Sequence, residues 1–152
     1  MDLLAPDGSL NCLCFRLRRS ARVATRIYER HLRPVDLQAT QYTVLAMLSH
    51  VPEICLSDLA ERLDIDRTGL TKNLAVLTRR GLIAIYEGKD RRQRRIRATP
   101  QGRAVAEAAL PLWRAAQAEV GTAFSDDERA ALQALLRRID DTPSPMSRQE
   151  TA

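Results

Sequence analysis

The stretch from residue 57 to residue 81 limits the fold more than any other part of the chain. Its pattern predicts a short helix over about Asp58–Leu63, a tight turn, and a longer helix over about Arg67–Arg80. The longer helix ends at Gly81, a residue suited to the left-handed position after a helix. Its predicted core stripe is Leu70, Leu74 and Leu77. A short helix, a turn and a longer helix in this order are typical of a helix-turn-helix.

Two strand-forming runs follow this pair of helices. Leu82–Tyr86 and Arg94–Ala98 flank the segment Glu87–Gln93, which contains glycine and aspartate. Six of the residues between Lys89 and Arg97 are basic. Charges can protect an exposed strand edge from aggregation, but that role does not readily account for six of them. We therefore predict a β-hairpin with a cationic tip that contacts phosphates.

The basic residues are concentrated in one part of the chain. The protein has 24 Lys+Arg and 19 Asp+Glu, a net charge of +5. Between Arg67 and Arg97 there are ten basic and two acidic residues, a net charge of +8, so the remainder sums to −3. A basic block in an otherwise near-neutral chain is typical of a protein that binds a polyanion, although a solvated arginine-rich surface has the same composition.

Helical patterns also precede the helix-turn-helix. Apolar residues at steps of three and four predict a helix over about Asn11–Leu32, and a second helix is predicted over about 40–49 with Thr40 as its N-cap. Residues 54–56 are too few for more than a single strand bridge. Ser57 is the predicted N-cap of the first helix of the helix-turn-helix.

Two further helices are predicted after the hairpin. Thr99 followed by proline favours a helix start, and this helix continues to about residue 120. Ser125 opens a capping-box sequence for a last helix that reaches about Ile139. The terminal helices carry long apolar stripes that a monomer would leave bare, which favours a dimer. The predicted fold is therefore mainly α: a winged helix-turn-helix with a two-stranded β-wing and N- and C-terminal dimerisation helices.

Several classes of protein are excluded by the composition of these 152 residues. No apolar run approaches the roughly 20 residues that span a bilayer, and the N-terminus lacks the basic region of a signal peptide. Three cysteines argue against a disulfide framework and for a reducing cytoplasm. Phosphate-binding glycine loops, zinc-protease motifs and Cys-x-x-Cys pairs are missing. We expect a cytoplasmic protein that is not an enzyme, with no metal, cofactor or membrane partner; a thiol enzyme and a protein-interaction module are remote alternatives.

The ordered motifs resemble the MarR family of bacterial transcriptional regulators over about residues 12–139. The wing signature of the family is matched by Asp90-Arg91-Arg92 followed by Ile96–Gly102. The other matching stretches are Leu59–Leu63, Leu70–Leu74 and Arg80–Ile83. The resemblance implies a homodimer that binds a pseudopalindromic operator in double-stranded DNA, most simply as a repressor, although activation is not excluded.

The residue pattern and the resemblance together predict how the chain is organised. Residues 1–9 are predicted to be a flexible lead and residues 140–152 a disordered tail. Residues 10–139 form a single winged-helix regulator unit. Its predicted segments are dimerisation arms at about 10–35 and 100–139 and a DNA-binding winged helix at about 40–99.

DNA-contacting residues are predicted on the second helix of the helix-turn-helix and on the hairpin. A helix of this kind enters the major groove, and Arg92 matches the family's wing arginine, which enters the minor groove. Asp90 matches the acid that orients that arginine, and Gly69 either allows close approach to the groove or is a packing glycine. The candidates are Arg67, Thr68, Gly69, Thr71, Lys72, Asn73, Arg79, Lys89, Asp90, Arg91, Arg92, Arg94 and Arg95.

Two kinds of regulatory signal remain open. Cys14 and Tyr28 match positions of the organic-hydroperoxide-sensing branch of the family, with Cys12 as an extra thiol, although Ala39 and Arg18 stand where that branch has aromatic partners. Small buried hydrophobes in a dimerisation helix would give the same pattern. The usual family arrangement implies instead a small aromatic or phenolic acid bound between the arms and the winged helix. The candidate lining residues are Arg26, His31, Tyr42 and Trp113.

Overall fold

The computed structural model describes Leu4 and residues 11–64, 67–88 and 93–142. Apart from Leu4, the predicted lead at 1–9 lies outside the described residues, and so does the tail beyond residue 142. Residues 65–66 of the predicted turn and residues 89–92 at the tip of the hairpin are outside them as well.

The chain divides into two compact units, one ending at Gln117 and the other beginning at Ala118. The helices of the first unit are α1 (Leu13–Leu32), α2 (Ala39–His50), α3 (Leu56–Leu63) and α4 (Arg67–Arg79), with a short 3₁₀ turn at Arg33–Val35. Its strands are β1 (Ile54–Cys55), β2 (Ile83–Glu87) and β3 (Arg94–Ala98). Helix α5 (Pro100–Gly121) begins in the first unit, and α6 (Asp126–Asp140) belongs to the second.

The three strands form one antiparallel sheet in the order β1-β3-β2. Strands β2 and β3 make the hairpin, with Ile83 opposite Ala98 and Glu87 opposite Arg94. Strand β1 adds two residues to the other edge of β3, where Ile54 lies opposite Ile96. We call β2, β3 and their connection the wing. The predicted winged helix-turn-helix is confirmed, including the short bridge at residues 54–55.

The core of the first unit is built from the leucines that the helical periodicity identified. Leu70, Leu74 and Leu77 on α4 are buried. They join Leu45 and Leu48 of α2, and the sheet contributes Ile54, Ile83 and Ile96 to the same cluster. Burial of each such side chain is worth about 1.5–3 kcal/mol. These contacts hold α4 by one face and leave its other face at the surface.

Two predicted helix caps are wrong. Helix α2 begins at Ala39 with Gln38 as its N-cap, so Thr40 lies inside the helix, and the Gln38 backbone N–H donates to Gln41 Oε1 at 3.0 Å. Helix α3 begins at Leu56, so Ser57 is helical as well. Gln38 and Gln41 cap the start of α2, and strand β1 leads directly into α3. Neither helix start has the Ser or Thr N-cap by which such a start is usually predicted from sequence.

The junction between α4, the wing and α5 is tightly closed. Gly81 has φ +68° and ends α4 as predicted. Thr99 caps α5: its hydroxyl accepts from the Gly102 N–H at 3.0 Å and donates to the Gly81 carbonyl at 2.7 Å. A side chain on Gly102 would place its Cβ 1.9 Å from the Leu82 carbonyl oxygen. The start of α5 is therefore fixed to the segment between α4 and β2.

Both terminal helices expose apolar side chains in the single chain. On α1, Leu32 is buried, but Leu13 is 66% exposed and Val23 is also exposed. In the second unit, α6 begins at the predicted Ser125 capping box, and its apolar side chains are exposed. They are Leu132, Leu135, Leu136 and Ile139. Within the described ranges, no helix has the length and apolar content needed to cross a bilayer.

Candidate nucleic-acid interface

Helix α4 presents a polar face of the kind that enters a DNA groove. Thr68, Thr71, Lys72 and Arg79 are all exposed, on the side away from the buried leucine stripe. The short side chains of the two threonines allow the helix backbone to approach another surface closely, and Lys72 and Arg79 add positive charge. Arg67 is the first residue of this helix, and its side chain lies outside the described part.

Asn73 is engaged within the protein. Its amide nitrogen donates to the Gly69 carbonyl at 3.0 Å, and its Oδ1 accepts from the Thr40 hydroxyl at 3.2 Å. Both Gly69 and Asn73 are half-buried. The predicted base contact by Asn73 would compete with these bonds, because the side chain already fastens α4 to the start of α2. Thr40 therefore helps to hold α4 against α2. The sequence does not reveal this role, because its pattern predicts Thr40 to be a helix N-cap.

The wing lies beside the exposed face of α4. Thr71 of α4 and Arg94 of β3 line the same cleft, which has a volume of about 280 Å³. Cys55 and Ser57 close the cleft on the side of the β1–α3 segment, and Gln93 closes it next to Arg94. Arg94 is exposed. The structure therefore brings together one predicted wing residue and one predicted helix residue on a single surface.

Arg95, the next residue of β3, is held in a network with Glu53 and Tyr86. Its guanidinium pairs with the Glu53 carboxylate, which also accepts a hydrogen bond from the Tyr86 hydroxyl. The Arg97 guanidinium lies 5.4 Å from the centre of the Tyr86 ring, a cation–π arrangement. The predicted phosphate contact by Arg95 would therefore compete with Glu53 for the same group.

The network shifts the pKa of the Glu53 carboxyl and the pKa of the Tyr86 hydroxyl. The hydrogen bond from Tyr86, together with the nearby Arg95 charge, lowers the pKa of Glu53 below its usual 4.5. The same hydrogen bond raises the pKa of Tyr86 above its usual 10.0. At neutral pH the carboxylate is therefore charged and the phenol is protonated, which is the state that the bond requires.

Four of the predicted wing contacts lie outside the described residues: Lys89, Asp90, Arg91 and Arg92. Their attachment is described, because β2 ends at Glu87 and β3 begins at Arg94. The backbone N–H of Gly88 donates to the Gln93 carbonyl at 2.8 Å, which joins the ends of the two described strand segments. The structure therefore describes both strands that flank these four residues in the sequence.

Arg80 anchors the end of α4, a role that sequence reasoning did not identify. Its guanidinium donates to the carbonyl oxygens of Val35, at 3.1 Å, and Asp36. Asp36 has φ +52°, a left-handed conformation that turns the chain between α1 and α2. The two ends of this contact are more than forty positions apart in the chain, and no local pattern pairs them.

The predicted effector residues are only partly brought together. Tyr42 and Trp113 form a tilted ring pair with their centres 6.3 Å apart. Tyr42 is only 6% exposed, and burial raises the pKa of its hydroxyl. Arg26 is exposed on α1, and His31 is half-buried near the end of that helix. The aromatic pair is therefore part of the core of the first unit.

The cysteines of the N-terminal segment are free thiols. Cys12 is the half-buried N-cap residue of α1, and Cys14 is exposed in the first turn. Tyr28 lies on the same helix, half-buried, and burial raises its pKa. Fourteen residues of a straight helix correspond to about 21 Å, so Cys14 cannot reach Tyr28 of its own chain. Any such hydrogen bond would need Tyr28 of a second copy.

The fold and this surface together define a class of protein. A helix-turn-helix with an exposed polar face on its second helix, beside a cationic hairpin, is a winged helix-turn-helix of the kind found in transcriptional regulators.

Comparisons with known proteins identify the family. A family model described as "MarR family" matches residues 35–96. The transcriptional regulator MosR of M. tuberculosis, solved in complex with DNA, is 39% identical with a TM-score of 0.75, and the match covers 86% of this chain and 97% of MosR. BpsR of Bordetella bronchiseptica is 26% identical with a TM-score of 0.81, and the match covers 88% and 96% of the two chains. The chain belongs to the MarR family.

A curated relative matches a shorter region. The HTH-type transcriptional regulator SarZ of Staphylococcus aureus is 31% identical over 94 residues, which make up 61% of this chain. The chain spans 64% of the length of SarZ.

Proposed function

We propose that this protein is a dimeric, sequence-specific regulator of transcription that binds double-stranded DNA. The observation that carries the proposal is the shared surface of Thr71 on α4 and Arg94 on the wing, which line one cleft. This surface lies within the segment of net charge +8. A helix face flanked by a cationic hairpin can bind the major groove and the adjacent backbone of one duplex.

Each part of the interface has a physical role in this proposal. Lys72 and Arg79 contact base edges or phosphates from α4, and the tip arginine Arg92 enters the minor groove, where a narrow channel concentrates negative potential. Arg94 contacts the phosphates between them. That MosR was solved in complex with DNA supports, by analogy, DNA binding by this chain.

The apolar side chains of the terminal helices favour a dimer. Leu13 and Val23 on α1 and Leu135 and Leu136 on α6 are exposed in the single chain. A two-fold dimer would bury them and carry two winged helices. Its operator would then be pseudopalindromic, with half-sites about 34–36 Å apart.

The test is binding to a selected operator. Duplexes enriched from a random pool are titrated by fluorescence anisotropy at several salt concentrations. If the dimer neutralises 6–10 phosphates, affinity falls by roughly 10³–10⁵ between 50 and 200 mM salt. Arg92→Ala should weaken binding and lower the salt slope, and Lys72→Ala should change the sequence preference.

The matched control is Arg114→Ala. Arg114 is exposed on α5, fourteen residues from the helix start and so about 21 Å along its axis. This variant removes the same charge without touching α4 or the wing. If Lys72→Ala and Arg92→Ala bind operator as tightly as Arg114→Ala, the assigned interface is wrong.

We infer that the regulator is a repressor released by a small aromatic or phenolic acid. Trp113, which is half-buried beside the buried ring of Tyr42, offers a partly exposed aromatic surface for such a ligand. The DNA binding of the relative BpsR is regulated by 6-hydroxynicotinic acid, an acid of this class. Trp113 is the only tryptophan, so its fluorescence reports binding directly.

The effector test titrates 6-hydroxynicotinic acid and benzoic acid against the protein–operator complex. Binding near Trp113 should quench its fluorescence over the same concentration range that releases the duplex. Release of the duplex without any change in fluorescence would mean that the ligand binds away from Trp113. If neither acid releases the duplex, the proposal of an aromatic or phenolic acid effector is wrong.

Control by an oxidant is the second candidate. It is favoured by the exposed, free thiol of Cys14 in the first turn of α1. Cumene hydroperoxide should release the operator from the wild type but not from Cys14→Ser. Cys55→Ser is the matched control, since it removes a thiol remote in sequence from α1. Equal responses of all three proteins would remove Cys14 from the mechanism.

A further inference from the structure

Glu53 contacts both strands of the wing from outside it. The residue lies in the connection between α2 and β1, and its carboxylate accepts from the Tyr86 hydroxyl on β2 and from the Arg95 guanidinium on β3. Tyr86 and Arg95 face each other in the β2–β3 register. One carboxylate therefore spans the hairpin one residue pair before the last described pair, Glu87 and Arg94.

The two residues after Glu53 also contact the wing. Ile54 is buried and lies opposite Ile96 of β3. The Cys55 thiol donates to the Gln93 side-chain oxygen at 3.8 Å, a long contact for a hydrogen bond to sulfur. Since an isolated two-stranded hairpin is at best marginally stable, these contacts at residues 53–55 fix the wing to the rest of the winged helix.

The charge of Glu53 is unfavourable for DNA binding in itself. It lies beside Arg95, Arg97 and Tyr86, which belong to the most basic segment of the chain, so it cancels one positive charge and would repel a nearby phosphate. A carboxylate here reduces attraction to any duplex. Its benefit must therefore come from geometry, through the orientation of the hairpin that carries the tip arginines.

We propose that Glu53 is a positioning residue for DNA recognition, which sets the orientation of the wing without contacting DNA. This inference rests on the proposed function. Glu53 lowers affinity for DNA of any sequence by its charge, and it raises affinity for the operator by holding β2 and β3 in the orientation that both grooves require. Its net effect is to raise the ratio of the affinity for the operator to the affinity for an unrelated duplex.

The test compares Glu53→Gln with Glu87→Gln. Both changes remove one negative charge from the same surface region, and Glu87 is an exposed residue of β2. Affinities for the selected operator and for an unrelated duplex of equal length are measured at one salt concentration. Glu53→Gln should reduce the ratio of the two affinities by about fivefold. Glu87→Gln should raise both affinities alike and leave the ratio unchanged.

A second measurement is independent of DNA. Amide hydrogen exchange in residues 83–87 and 94–98 should be faster in Glu53→Gln than in wild type and unchanged in Glu87→Gln. Melting temperatures of all three proteins far above the temperature of the exchange experiment exclude general unfolding as the cause. An equal affinity ratio in the two variants would overturn the proposal, and so would unchanged exchange in the strands.

The two proposals fail in different ways. If the wild type prefers no duplex over another, the proposed function is wrong, and the exchange experiment alone decides whether Glu53 orients the wing. If the wild type prefers its operator and Glu53→Gln retains that preference in full, the proposed function stands and the role of Glu53 is wrong.

Discussion

Single residues decide how closely the parts of this protein approach one another. Gly102 is the clearest case, because a Cβ atom there would lie 1.9 Å from the Leu82 carbonyl oxygen. We expect Gly102→Ala to lower the free energy of unfolding by about 1–3 kcal/mol, since the backbone of Leu82 or α5 would have to move. Urea unfolding measures the change.

Gly121 is the matched glycine for that experiment. A Cβ there would lie at an ordinary 3.6 Å from the Arg129 side chain, and the residue is at the end of α5. Gly121→Ala should leave the stability unchanged or raise it by up to about 1 kcal/mol. A Gly102→Ala protein as stable as Gly121→Ala would contradict the close approach.

The Glu53–Tyr86 hydrogen bond gives the stability a defined pH dependence. The pKa of Glu53 is lowered in the folded protein, mainly by Tyr86 and then by Arg95, so its contribution is present above the unfolded value and is lost as the pH falls through the folded value. The raised pKa of Tyr86 means that its contribution is lost as the pH rises beyond its unfolded value near 10.0.

We therefore expect wild type to be more stable than Glu53→Gln between about pH 5 and pH 9, with a difference that shrinks on acidification. Chemical unfolding at a series of pH values measures both curves. A difference that stays constant from neutral pH down to about pH 2 would show that the ionised carboxylate is not responsible.

At the scale of elements, the helix starts show which sequence signals act locally and which are overridden by the tertiary structure. Ser125 accepts from the Glu128 N–H, and the Glu128 carboxylate accepts from the Ser125 N–H at 2.8 Å, a reciprocal bond that lowers the pKa of Glu128. We expect Ser125→Ala to reduce the stability of α6 by about 1 kcal/mol, because an orphan backbone donor loses its acceptor. Thermal unfolding followed by circular dichroism measures this loss.

Ser57 is the control for that helix start. It resembles a cap in the sequence but lies inside α3, where its hydroxyl donates to the Asp58 carboxylate at 3.0 Å. Ser57→Ala should therefore change the melting temperature less than Ser125→Ala does. The reverse order would mean that the two caps have been assigned the wrong way round.

For the whole molecule, the exposed apolar surface of the terminal helices is the decisive feature. Leu135 is 53% exposed on α6 in the single chain. If a second copy covers it, Leu135→Glu buries a charge in the interface and should convert the dimer to a monomer at micromolar concentration. Light scattering after size-exclusion chromatography gives the mass. Operator affinity should fall, because a monomer has lost the second winged helix that binds the operator.

Gln133→Glu adds the same charge to the same helix at an exposed polar position. This variant should keep the wild-type mass and affinity. A Leu135→Glu protein that remains dimeric would mean that α6 is not part of the interface.

The sequence by itself determined the order and type of the elements. The leucine spacing of α4, the left-handed stop at Gly81 and the Thr99 cap of α5 are local signals, and the structure confirms each of them. Local signals suffice here because helical periodicity and backbone conformation depend on neighbours within a few residues. The exposed face of α4 followed from the same periodicity, since burial of one face leaves the other in solvent.

Only the tertiary structure decided which side chains meet across the fold. Asn73 bonds Thr40, Arg80 bonds the backbone of Val35, and Glu53 joins Tyr86 to Arg95. Each of these pairs is separated by more than thirty positions, and polar side chains at such distances carry no periodic pattern that reveals a partner. They meet because the buried leucines and isoleucines bring α2, α4 and the wing together, and only then can hydrogen bonds and charges fix the orientation of the surface.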